Sequence, residues 1–178
     1  MGSAILPDDL LSQVSDLERR IRILEVTSRT GLGLPQGPLV ASLATDFDFG
    51  TTQTDVAGLA VTITVGERRR LRIAFHAHVV NIDFLHAGGN NTAQITIAEG
   101  ATELARRTRP QIADSSDSFG SNQVDIDGEV FVTPTAGTHT YKLTARITHG
   151  MSQNMAITGL DSGDPAYISV EDVGMVPT

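Results

Sequence analysis

His76 and His78 stand two residues apart in Arg69-Arg70-Leu71-Arg72-Ile73-Ala74-Phe75-His76-Ala77-His78. In an extended strand that spacing puts both imidazoles on one side, where they are candidate ligands for a metal shared with a third group or with copies of themselves around a threefold axis. No carboxylate or further histidine has a spacing that completes such a site. The favoured reading is therefore a polar or subunit-facing strand surface. At a subunit contact, protonation near about pH 6 would bring like charges together and loosen it. Asp161 and Asp164, in Asp161-Ser162-Gly163-Asp164, are the other candidate ligands. Calcium needs several oxygens converging on one loop. Neither this segment nor Asp46-Phe47-Asp48 nor Asp125-Ile126-Asp127-Gly128-Glu129 has the spacing of an EF-hand loop. In the last two, the carboxylates alternate along a strand.

Catalytic patterns are missing from the sequence. It has no serine elbow, Walker loop or HExxH, and the glycine-rich GLGLPQG lacks the strand before and helix after that phosphate loops require. Neither an enzyme nor a cofactor is expected. With no cysteine, thiol nucleophiles, disulfides and thiolate-ligated zinc are excluded. Arg68-Arg69-Arg70 and Arg106-Arg107-x-Arg109 are the basic runs of a chain with net charge −8. They read as solvated edges or intersubunit salt-bridge partners. That charge argues against a nucleic-acid partner. The N-terminus has no signal-peptide pattern, and no segment approaches the roughly 20 apolar residues of a membrane span. A soluble protein made in a cytoplasm is expected.

The elements that must position these residues come in two kinds. Leu10, Val14, Leu17, Ile21 and Leu24 recur at spacings of four, three, four and three. This is the seam of a heptad coiled coil and calls for partner chains. It places Arg20 at a g position and Glu25 at an e position. β-Branched residues at a with leucine at d leave two strands against three open. Pro7-Asp8-Asp9 suits a helix start, and Gly31 suits its end, so residues 1–30 form the coiled-coil segment. A helix this short is marginal alone. GLGLPQGP, residues 31–38, holds three glycines and two prolines and reads as a linker.

From Leu39 the hydrophobic period changes to two. Strands are expected at Leu39–Phe47, Gly58–Val65, Arg70–Asp83, Thr92–Ala98, Glu103–Gln111, Gln123–Val132, Thr138–His149, Met155–Gly159 and Ala166–Glu171. Ala101–Arg107 also admits a helical turn. Nine short strands at this spacing predict one antiparallel β-sandwich or jelly roll over residues 39–178. Leu71, Ile73, Phe75, Ala77 and Val79 should face its interior, and so should Tyr141, Leu143, Ala145 and Ile147.

Arg20-Ile21-Arg22-Ile23-Leu24-Glu25 resembles the short trimerisation signature of three-stranded coiled coils. Within the β-domain, Gly58–Val65, Val132–Leu143 and Ala166–Gly174 resemble segments of small trimeric virion proteins of tailed bacteriophages. These are the minor tail proteins, head fibres and capsid decoration spikes, in which a short coiled coil precedes a β-rich domain. The resemblance implies a homotrimer with a jelly-roll architecture like that of the C1q and tumour-necrosis-factor class. It implies a place on the virion, and contact with other virion proteins through the N-terminal helix. Trimerisation would then involve Leu10, Val14, Leu17, Arg20, Ile21, Leu24 and Glu25, with Tyr141 and the Ala166–Val170 strand contributing. A trimeric receptor- or glycan-binding module is the alternative, with loops Ala87–Thr92 and Asp114–Asn122 meeting a host surface.

Overall fold

The computed structural model describes residues 17–18, 37–81, 90–112, 123–150, 154–160 and 165–176. Contacts divide the chain into Met1–Pro35 and Gln36–Thr178. Leu17 and Glu18 are helical, and Leu17 is exposed. The other coiled-coil positions, Leu10, Val14, Arg20, Ile21, Leu24 and Glu25, lie outside the described residues.

Ten strands form the second unit: β1 (Leu39–Ser42), β2 (Phe47–Phe49), β3 (Thr54–Val65), β4 (Arg69–Asn81), β5 (Asn90–Glu99), β6 (Thr102–Ile112), β7 (Gln123–Val132), β8 (Gly137–Gly150), β9 (Met155–Ile157) and β10 (Tyr167–Met175). All their pairings are antiparallel. In the first sheet β4 is the hub. It pairs with β7 along one side; along the other it pairs with β10 and then, further along, with β9. β1 completes one margin on β10, and β2 completes another on β9. The second sheet runs β3-β8-β5-β6. Successive long strands mostly alternate between sheets, with β5 and β6 the exception, so the chain wraps as a jelly roll.

Period-two patterning fills the space between the sheets. Leu71, Ile73, Ala77 and Val79 of β4, and Tyr141, Leu143 and Ala145 of β8, have no exposed surface. Ile95, Ile97, Ile126, Ile157 and Ile168 join them in one core. Each leucine, isoleucine or valine among them contributes about 1.5–3 kcal/mol when fully buried. Tyr141 therefore points into the sandwich and has no surface to offer a neighbouring subunit, contrary to its expected role. Its aromatic bulk fits the inward row of β8 because the period starting at Tyr141 continues through Ile147.

One element differs from expectation, and one alternative falls away. Leu39–Phe47 is broken into β1 and β2. The Leu43 N–H donates to the Ala166 carbonyl (2.8 Å) and the Leu43 carbonyl accepts from Leu160 (3.0 Å). The first bond extends the β1–β10 register by one rung, and the second ties Leu43 to the chain that follows β9, so the strand resumes as β2 on a different partner. The strand expected at Glu103–Gln111 forms as β6, and the helical turn that Ala101–Arg107 also admitted does not: Gly100 at φ 58 opens the two-residue turn Gly100-Ala101, and β6 folds straight back on β5.

Candidate functional site

The outward face of the first sheet collects the residues with chemistry. Across β4 and β7, His76 pairs in register with Asp127, His78 with Asp125 and Arg72 with Phe131. The side chains use that register. His76 Nδ1 lies 2.8 Å from Asp127 Oδ1, and His78 Nδ1 lies 2.6 Å from Asp125 Oδ1. Gln123 Oε1 is 3.1 Å from His78 Nε2. Arg72 Nε donates to Glu129 at 2.8 Å, with Glu171 of β10 at 3.9 Å from the same guanidinium. Arg70 covers the Phe131 ring at 4.6 Å. On the other flank Tyr167 stacks on His76, with centroids 5.9 Å apart. The hydrogen bond from His78 is the main reason that the Asp125 carboxyl is held below its usual range.

A hollow of about 350 Å³ opens in this ladder. On the outward face it follows from Ala74, which carries almost no side chain, while the space at Gly128 is taken by the Phe75 ring. Ala74 faces outward on β4 beside Glu129, and Gly128 faces Phe75. A Cβ on Gly128 would collide with the Phe75 ring and stand 3.0 Å from Arg107 Cγ. Arg72, Asp127, Glu129, Tyr167 and Arg107 of β6 form the walls. Among the described residues, the Arg107 side chain makes a single hydrogen bond, a 3.3 Å contact from Nη1 to the Arg106 carbonyl.

Of the expected ligands, the structure places His76 and His78 on one face as anticipated. It also brings Asp125 and Asp127 opposite them, which the sequence did not signal. A protonated imidazole here meets a carboxylate, so the like-charge argument for loosening loses its force. Among the described residues no three histidine, aspartate or glutamate groups converge to hold a metal ion. Asp161 and Asp164 lie outside the described residues, as do Asp114–Asn122 and residues 87–89 of the Ala87–Thr92 loop. Asp46 accepts a 2.7 Å hydrogen bond from the Gly159 N–H, tying the turn before β2 to the chain after β9.

The basic run at 68–70 is not a uniform solvated edge. Arg69 is 5% exposed and binds Asp172, with Nε 2.7 Å and Nη2 2.5 Å from Oδ2. The other oxygen, Oδ1, accepts from the Gly174 N–H at 3.0 Å. This fixes the bulge of β10 between Asp172 and Gly174, where Gly174 adopts φ 114. Arg106 pairs with Glu103 on its own strand. A second hollow of about 510 Å³, lined by Thr51 and residues Arg146 to His149, sits at the second sheet. It has no carboxylate in its lining.

No protein-family profile matches the sequence, and a search of curated protein sequences finds no relative. Among solved structures, the chain is similar to the Eiger TNF of S. frugiperda, at 10% identity and TM-score 0.41 over 80% of this chain and 97% of that one. It is similar to a structure of infectious bursal disease virus, Gx strain, at 11% identity and TM-score 0.36 over 81% of this chain and 38% of that one. The C-terminal CBM6 of LamC, a laminarinase from Zobellia galactanivorans, is similar at 12% identity and TM-score 0.32, over 76% of this chain and all of that one.

Proposed function

We propose that the chain is a structural protein of a tailed-bacteriophage virion, a homotrimeric spike or fibre on the particle surface that acts by adhesion or reinforcement. The N-terminal helix around Leu10–Glu25 aligns the chains and meets other virion proteins. The β-domain projects outward. The protein works without catalysis or cofactor and engages neither nucleic acid nor membrane, in keeping with a net charge of −8.

One observation carries the association of copies. Leu39, Val40, Phe131, Val173 and Met175 are exposed large hydrophobics, and all belong to strands of the first sheet. Among the described residues the strands of the second sheet expose none. An apolar set gathered on one sheet, interleaved with satisfied ion pairs, is the composition of a contact surface between subunits. Imaging the parent virion by cryo-electron microscopy tests the reading. The expected result is threefold density at head or tail into which the sandwich fits; virions lacking the chain would contradict it.

A receptor- or glycan-binding module is the second reading, favoured by the hollow over Ala74 and Gly128. It replaces loop recognition by recognition on the sheet face.

A further inference from the structure

We propose that the hollow over Ala74 and Gly128 is a saccharide site that takes a neutral pyranose unit. This deepens the adhesive side of the function above and gives it a ligand class.

Size comes first. About 350 Å³ is at the small end of ligand sites, enough for one or two sugar rings and too little for a folded partner. The walls supply both halves of sugar chemistry. Tyr167, 39% exposed and held by its stack on His76, offers a ring face to the C–H side of a pyranose. Asp127 and Glu129 are acceptors for sugar hydroxyls. Each is already oriented, by His76 and by Arg72, yet a carboxylate keeps lone pairs beyond one hydrogen bond. Arg107 brings guanidinium donors for hydroxyl or ring oxygens, since among the described residues its side chain is engaged only at the Arg106 carbonyl.

Charge then selects among sugars. The two carboxylates are balanced locally by Arg72 and Arg107, with His76 beside them, while the chain as a whole carries −8. An acidic sugar would have to approach two carboxylates on an acidic molecule, whereas a neutral one exchanges hydroxyl bonds with fixed, preoriented partners. The hollow lies over β4, β7 and β10, with Arg107 of β6 at its flank; of the exposed large hydrophobics among the described residues it takes in Tyr167 alone, so the contact between copies proposed above rests on the others.

Saturation-transfer NMR on the full-length protein tests this, with glucose, galactose, mannose, their N-acetylamino derivatives and lactose as neutral probes and glucuronic acid as the acidic one. Transfer from at least one neutral probe is expected. Ala74→Phe, which fills the hollow from its solvent side, and Arg107→Ala should each weaken that binding at least tenfold. Arg106→Ala, whose guanidinium belongs to Glu103, should leave it unchanged. Circular dichroism and thermal midpoint of each variant establish that it is folded. Three results would overturn the site: no transfer from any neutral probe, undiminished binding by folded Ala74→Phe, or binding of glucuronic acid alone. Native mass measured on the same sample separates the cases, because a trimer without sugar binding removes the site and leaves the spike.

Discussion

His139 and Glu99 are joined across β8 and β5 by a 2.6 Å contact between Nδ1 and Oε1, while the other ring nitrogen, Nε2, lies 2.9 Å from the Thr135 carbonyl. Both partners are acceptors only, so the fully bonded ring carries two protons. The hydrogen bond to Glu99 raises the His139 pKa against the opposing effect of burial. Tyr141, stacked beside His139 at 6.3 Å, is pushed up to about 12 by burial and by Glu99. The pair clamps the turn between β7 and β8.

A stability dependence on pH follows, with its sign set by His139. A folded-state pKa above the unfolded value contributes stability that is complete below about pH 6.5 and is lost as pH rises through the folded value. Glu99→Gln should therefore lose about 1 kcal/mol at pH 6 and less at pH 8. Asp125 acts in the opposite sense: its depressed carboxyl contributes at neutral pH and stops contributing on acidification below about pH 4. Urea midpoints of wild type and Glu99→Gln at pH 6 and 8 check the first effect. A difference between the two proteins that grows toward pH 8 would contradict it.

Breaking the Arg69–Asp172 pair should be expensive. Asp172→Ala leaves a buried guanidinium without its carboxylate and the Gly174 N–H without its acceptor, a loss of about 3–5 kcal/mol. Arg68, whose Nη2 bonds the Val176 carbonyl at an exposed site, is the control, and Arg68→Ala should change stability by less than about 1 kcal/mol. Chemical denaturation of the two variants compares them directly.

Gly159→Ala should also unfold the protein readily. The added Cβ would stand 2.5 Å from the Thr45 carbonyl carbon, which is backbone and cannot swing away. The turn around Leu43–Asp46 would have to move, and with it the Gly159–Asp46 and Leu160–Leu43 bonds. A loss of more than about 2 kcal/mol is expected from overpacking at a fixed site. The thermal midpoint reads it.

Much of the sandwich was legible because burial imposes period two on each strand, as in Leu71 to Val79 and Tyr141 to Ile147. Spacing along one strand says which side chains share a face, and His76 and His78 do. It does not say which strand lies alongside. Asp127 is 51 residues from His76, and their pairing is a product of long-range register that no local pattern encodes. For the same reason Arg69 looked like its neighbours in a basic run, although its partner Asp172 is 103 residues away. The hollow was hidden more deeply still. It is opened by what Ala74 lacks, and a small residue in a strand gives no signal until the opposite strand is known. The break after β1 was hidden too, since Leu43 and Phe47 keep the alternation through the segment that leaves the ladder.

Substitutions on the first sheet should act on association and spare the fold. Val40 is 57% exposed and Val173 is 44% exposed, so neither contributes much to the core. Val40→Lys and Val173→Glu place charge in an apolar contact and should each weaken association at least tenfold, with the circular dichroism spectrum unchanged. Sedimentation velocity over a concentration series measures it. Unaltered association in both variants would move the contact to another face.

Native mass spectrometry of the full-length protein tests the homotrimer most directly. A species at three times the chain mass of 18.9 kDa is predicted. A monomer at micromolar concentration and neutral pH would contradict it.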